Sequence, residues 1–169
     1  PGEKPLTWDD FGGGVDVNIM HALTRAGEKG WVDKDKYFKD HPEWFAWDAQ
    51  KKERFRFALC MTNEEMIQEL IKEVGDYLKN NYPKVKSISL SNEDTAFYCH
   101  CDKCQALIHS FAGSDGTEAP SVLNVVLLNR VAKHFAQSYP DVRFNLLVYA
   151  CSERPPTSDK LALEPNTGV

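Results

Sequence analysis

Four stretches of the chain are mostly apolar and rich in β-branched or aromatic side chains. They are Val15–Leu23, Phe55–Cys60, Val85–Leu90 and Arg143–Ala150, and each has the length and composition of a buried strand. Between the second and third, Met66, Leu70, Val74, Tyr77 and Leu78 recur at three-to-four spacing. That spacing predicts a helix over about Asn63–Asn80 with one face docked on a sheet. Thr62 to Glu65 has the T-x-x-E form of a capping box, in which the Thr62 hydroxyl and the Glu65 carboxylate each satisfy a helix-start amide. Pro120-Ser121 opens a second helix, where Val122, Val125, Val126, Leu128, Val131 and Phe135 form a broad apolar stripe that Tyr139-Pro140 stops. The connection from Thr24 to Arg54 is different: long, aromatic and only partly helical.

Strands separated by helices that cross back imply parallel pairing and the α/β class. A full (β/α)8 barrel takes roughly 250 residues, whereas these parallel (β/α) repeats supply about four strands. The expected architecture is therefore a partial TIM-barrel-like domain, a single unit over residues 1–169 and a fragment of a larger barrel. The tail from Pro155 to Val169 is expected to stop where another strand would begin, with nothing after it to pair. Open sheet edges in such a fragment call for a partner chain, a second copy or the rest of the barrel to cover them.

Composition narrows the function classes. The 169 residues are 42% hydrophobic, enough for one substantial core, and 25 acidic against 20 basic residues give a net charge of -5 without long runs. This balance argues against nucleic acid or an anionic membrane as the main partner. No apolar stretch approaches the ~18 residues that span a bilayer, and the start lacks a signal-peptide core, so any export signal is expected outside this chain.

Cys99, Cys101 and Cys104 form a C-x-C-x2-C triplet, and thiolates at that spacing can wrap one soft cation or oxidise. Five cysteines in all suit a four-ligand site plus a spare thiol at least as well as a disulfide framework. If the second and third strands are neighbours, Cys60 supplies the fourth ligand to a closed structural zinc site that staples the following loop. Disulfides or free thiols, and a catalytic metal, are the competing readings. His100 is expected to point away from the site, Cys151 to be a core or spare thiol, and no organic cofactor is implied.

In parallel α/β folds the loops after the strands' C-terminal ends form the site. That rule selects His21, Cys60, Thr62, Asn63, Asn92, Glu93, Asp94, Tyr149 and Cys151. Glu93 beside Asp94 at a strand end could provide the carboxyl of raised pKa that glycoside cleavage needs as its acid; adjacent acids are also common solvated turn residues. In the aromatic connection, Phe38, Trp44 and Phe45 read as a satellite core, which leaves Trp31 and Trp47 freer to stack on a ligand. His21 could orient a substrate hydroxyl or be satisfied by a backbone carbonyl.

Taken in order, a strand ending in His21, Tyr37-Phe38 with His41 to Phe45, Leu59-Cys60 with Thr62-Asn63, Asn92 to Asp94 before the triplet, Tyr139-Pro140 and Tyr149-Ala150 form a specific set. It resembles an uncharacterised barrel family of polysaccharide-degrading bacteria, often linked to an α-glucuronidase-like N-terminal domain. The resemblance runs from about Val15 to the end. It implies a glycoside-hydrolase-like domain, in an exported or surface protein, acting on or binding complex or uronic-acid-containing glycans. Family members tend to show Asn-Asp-Gly where this chain has Glu93-Asp94-Thr95, so Asp94 inherits the matched role more directly than Glu93. The resulting assignment is Asp94, then Glu93, as the acid; His21 and Asn63 as substrate-positioning groups; Trp47 and Tyr149 as stacking surfaces. A non-catalytic glycan-binding or assembly module with a structural zinc site is the alternative.

Overall fold

The structure is a computed structural model that describes residues 22–24, 30–93, 95–111, 118–148 and 152–168. Helices and strands are mixed in two small sheets. An antiparallel hairpin joins β1 (Phe45–Asp48) to β2 (Glu53–Leu59), and a parallel three-stranded sheet has the order β3 (Ser87–Ser89), β4 (Arg143–Asn145), β5 (Thr167–Gly168). The helices are α1 (Lys34–Tyr37), α2 (Glu64–Asn81), α3 (Asp102–Phe111) and α4 (Ala119–Phe135), with a 3-10 turn at Pro42–Trp44.

Helix α2 forms where the periodicity places it. Met66, Ile67, Leu70, Ile71, Val74 and Leu78 are its buried face, while Tyr77 is 40% exposed and lies edge-on to Trp31 instead of in the core. The N-cap is Asn63, not Thr62: the Asn63 side chain accepts from the Met66 amide at 3.0 Å. Asn and Thr are both good caps, and the neighbour won because the Thr62 hydroxyl is engaged by the cysteines described below. Helix α4 is buried on most of its circumference, including Val122, Leu123, Leu127, Leu128 and Val131, which makes it the central helix of the core. Its last turn stacks Phe135 on Phe144 of β4 at 5.7 Å.

Three expectations about the strands need correction. The segment Phe55–Cys60 is not a parallel strand beside Val85–Leu90; it is one arm of the antiparallel hairpin, paired through Trp47↔Arg54 and Asp48↔Glu53. The turn explains why. Asp48 Oδ1 accepts the amides of Gln50 and Lys51 at 2.9 and 3.0 Å, and Lys52 adopts a left-handed φ of 57°, so the chain reverses tightly inside what the pattern treats as an irregular connection. The tail does pair: β5 lies parallel to β4 with Phe144↔Thr167 and Asn145↔Gly168. The described residues thus hold five strands in two sheets instead of four in one. The run Val15–Leu23 lies outside the described residues except for Ala22 and Leu23, whose amides both point to the Ser91 carbonyl.

Side chains alternate across the parallel sheet. Ile88 and Phe144 pair on the face toward α4, and the other face carries Ser87, Ser89 and Asn145. These buried polar groups satisfy one another: Asn145 Nδ2 donates to Ser87 Oγ at 2.6 Å, and Ser89 and Ser91 hydroxyls meet at 2.8 Å. Ser91 Oγ also accepts the Leu147 amide at 2.8 Å. Gly168 fits beside Asn145 only because it lacks a Cβ, which would collide with Asn145 Oδ1. Among the described residues no helix is long and apolar enough to cross a membrane.

Candidate metal centre

Cys60, at the end of β2, is carried into place by its amide, which donates to the Trp44 carbonyl at 2.8 Å. The loop before α3 runs along the free edge of β1. The His100 amide donates to the Trp47 carbonyl at 2.9 Å, and the Trp47 amide donates to Cys99 Sγ at 3.2 Å. Cys101 immediately precedes α3, and Cys104 sits in its first turn. Gln105 ties this knuckle together, its amide on the Cys101 carbonyl at 2.9 Å and its side chain on the Cys99 carbonyl at 3.3 Å. One hairpin and one loop therefore meet at four sulfur atoms.

Those four atoms all lie within 4.8 Å of one another, with Cys60 Sγ 3.6 Å from Cys101 and 3.9 Å from Cys104. A disulfide bond is about 2.05 Å long, and all four cysteines are free thiols. Zinc–sulfur bonds of about 2.3 Å in a tetrahedron put neighbouring sulfurs about 3.8 Å apart, so the measured separations bracket the tetrahedral value. Cys60, Cys99 and Cys104 are buried and Cys101 is partly so. The arrangement fits one thiophilic ion.

Electrostatics point the same way. Its hydrogen bond from Cys104, then that from Cys99, holds the Cys60 thiol far below its ordinary value. Cys104 is driven well up by its hydrogen bond to Cys60, by Cys99 and by burial. For Cys99 the Cys104 contact lowers the value, but Cys60 and burial outweigh it and push it up to about 12. Cys60, Cys99 and Cys104 thus resist gathering several negative charges among themselves, and holding further thiolates in this buried place requires a cation at the centre. The signal for the fourth ligand was readable in the sequence, although its route was not, since Cys60 arrives from the hairpin and not from a strand adjacent to β3.

Thr62 was selected by its place after a strand, but its role as a partner of the sulfurs was not foreseen. Its hydroxyl lies 3.2 Å from Cys104 Sγ, 3.7 Å from Cys60 and 3.9 Å from Cys101. Its place two residues after Cys60 was the available signal, read instead as a helix cap. His100 does turn away from the sulfurs, packing on Tyr98 and Phe97 at 4.6 and 5.2 Å.

The other sequence-selected residues do not converge on one point. Glu93 is half-buried after β3, and its Oε1 accepts the Thr24 amide at 3.2 Å. Asn63 spends its side chain on the α2 cap and on the Glu43 carbonyl at 3.3 Å. Trp47 borders the cysteines with the Arg54 guanidinium 5.2 Å above its ring. Trp31 is committed to the sheet, donating from Nε1 to the Ser89 carbonyl at 2.8 Å, and Trp44 and Phe45 are core. His21, Asp94, Tyr149 and Cys151 lie outside the described residues. A second grouping, His41, Glu43 and Glu65, has the donors for a cation. It is largely exposed and sits at the first turn of α2, whose dipole opposes positive charge. Beyond the end of β4, an apolar cleft of about 240 Å³ is lined by Ser121, Asn124, Leu146, Val148, Pro156 and Leu161 among others.

Fold and centre together define a mixed α/β domain, with a parallel three-stranded sheet, that carries a four-cysteine cluster able to hold a metal ion. The chain belongs to the family described as Domain of unknown function (DUF4838), which it matches over residues 13–169. No curated protein and no solved structure matches it.

Proposed function

We propose that this chain is a zinc-stapled segment of a carbohydrate-active domain, in which the metal is structural and the chemistry is that of a glycoside-hydrolase-like (β/α) barrel. The observation that carries the metal half is the set of sulfur separations, 3.6 and 3.9 Å within a cluster spanning 4.8 Å. Four thiolates fill a tetrahedral ion and leave no position for a reacting water, so the ion holds the hairpin against the loop that follows β3. Purified protein should contain one zinc per chain, lost on Cys101→Ser. Metal-free protein that binds no added zinc would overturn this half.

The carbohydrate half is supported by position and by the motifs given above. Glu93 and Asp94 follow a parallel strand at its C-terminal end, where α/β barrels keep their catalytic groups. The apolar cleft beyond β4 opens at the corresponding end of the neighbouring strand. In this reading Asp94 is the acid, with Glu93 next in line for the same role, His21 and Asn63 position substrate, and Trp47 and Tyr149 stack on sugar rings. The substrate is a complex or uronic-acid-containing glycan, and the parent protein is exported. Turnover of a panel of neutral and uronic-acid-containing oligosaccharides by the intact parent, lost in Asp94→Asn with binding retained, is the expected result. Normal turnover by that variant would remove Asp94 from the acid role.

One observation favours the alternative of a glycan-binding module. Glu93 Oε1 accepts the Thr24 amide, a fixed acceptor position of the kind that holds sugar hydroxyls. Saturable binding without turnover by any variant is the outcome this reading expects.

A further inference from the structure

We propose that Cys101 is the reactive corner of the cysteine centre, the thiolate that a soft electrophile attacks and whose modification releases the metal. This rests on the metal reading above. The four sulfurs are not equivalent. Cys99 Sγ accepts the Trp47 amide at 3.2 Å and is fully buried at 0% exposure. Cys104 Sγ is equally buried and has the Thr62 hydroxyl at 3.2 Å. Cys60 is buried at 5% exposure, with the same hydroxyl at 3.7 Å.

A hydroxyl has one proton to give, and Cys104 is the nearest of the three sulfurs around Thr62. Cys101 is 3.9 Å from that oxygen, the longest of the three separations, and its other close contact is the sulfur of Cys60. It is also the one ligand of the four that is not fully buried. Hydrogen-bond donors draw electron density from a metal-bound thiolate and lower its nucleophilicity. Burial bars approach. Cys99 and Cys104 have both protections, Cys60 has burial, the Thr62 amide and a more distant hydroxyl, and Cys101 has neither in full.

The chemistry is a simple displacement. With iodoacetamide as probe, a lone pair on Cys101 Sγ forms the new S–C bond, the C–I bond breaks, and iodide leaves with its electron pair. No proton, oxidant or reductant is needed. The product is a neutral thioether in place of an anionic ligand, so a divalent ion loses one of four thiolates, and the metal no longer clamps the hairpin to the α3 loop. The class of reagent that the corner admits is therefore small, soft electrophiles. Thr62 is the positioning residue that keeps Cys104 out of competition.

The test is site-resolved labelling of zinc-loaded protein with limiting iodoacetamide, followed by peptide mass spectrometry, with a chromogenic chelator recording zinc release. Cys101 should be modified at least about tenfold faster than Cys60, Cys99 or Cys104, with one zinc released per modified Cys101. Thr62→Val should raise the rate at Cys104 by about tenfold, and Thr62→Ser should restore the parent rate. Faster modification at any other of the four ligands would overturn the proposal. So would modification of Cys101 with the zinc retained. Protein that holds no zinc before labelling fails the metal reading itself, which the zinc stoichiometry measured at the outset separates from failure of the Cys101 assignment.

Discussion

Two of the places where the molecule buries polar side chains settle them in opposite ways. On one face of the parallel sheet, Ser87, Ser89, Ser91 and Asn145 close their hydrogen bonds among themselves and on the Leu147 amide. At the end of the hairpin, the donors shown for the sulfurs of Cys60, Cys99, Cys101 and Cys104 are the Thr62 hydroxyl and the amides of Thr62 and Trp47. Hydroxyls and amides carry both donors and acceptors, so a small group of them can be self-sufficient. Thiolates only accept. A buried set of four with too few donors is stable only around a positive ion, and this difference in donor count separates a structural seam from a metal centre.

The comparison breaks most visibly when the ion is removed. Chelation of the zinc-loaded protein, or Cys104→Ser, should cost on the order of 5 kcal/mol or more, because metal-binding free energy is folding free energy in such sites. A thermal melt with and without chelator reads this directly, and an unchanged Tm would dismiss the centre as a stabilising element. The seam should respond to mutation but not to chelator. Ser91→Ala leaves the amide of the half-buried Leu147 without its acceptor and should cost about 1–3 kcal/mol by denaturant titration, with zinc content unchanged.

A finer cut runs between two neighbours. Asn63→Ala should cost about 1 kcal/mol by loss of the α2 cap while zinc affinity holds. Thr62→Val should weaken zinc binding by about tenfold, read by chelator competition, while the helix signal in circular dichroism holds. If Thr62→Val instead lowers helicity and spares the metal, the assignment of cap and donor is reversed.

The smallest effect lies far from both regions and serves as a control. Glu69 is held below its ordinary value by Lys72 at 2.8 Å and by the Tyr37 hydroxyl at 2.7 Å. A carboxylate depressed in the folded state adds stability above its unfolded value and loses it as pH falls through its folded one. The stability gap between the parent and Glu69→Gln should therefore be present at neutral pH and close below about pH 4. Zinc loss on acidification follows the thiolates and should be identical in the two proteins.

The parts legible in the sequence are those with a strong local signal. The apolar periods of α2 and α4 exceed any competing pattern, and the cysteine triplet marks its own chemistry. Cys60 was also readable, as a thiol following a strand. The hairpin was not, because β1 is four residues long and its reversal depends on Asp48 accepting two amides, a contact that no hydrophobic period records. Thr62 was misassigned because a capping box and a sulfur donor look alike in one dimension; only the approach of α3 decides between them. The acid–base assignment to Asp94 and Glu93 rests on motif and strand position, since the contact shown for the Glu93 side chain among the described residues is with the Thr24 amide.

The Trp47 amide on Cys99 and the Trp44 carbonyl on the Cys60 amide place the hairpin between partners that are distant along the chain. Cys99, Cys101 and Cys104 are neighbours and can gather an ion as soon as they are synthesised, whereas Cys60 must return across roughly 40 residues that include α2 and β3, a closure costing (3/2)RT ln n. If the centre takes zinc as proposed, folding acquires an order: a three-thiolate complex forms early and weakly, and the fourth thiolate locks only after α2 and β3 are in place. With zinc bound as proposed, the ion would be a late checkpoint on tertiary assembly, and a slow phase in refolding should depend on zinc concentration only until the helix is formed.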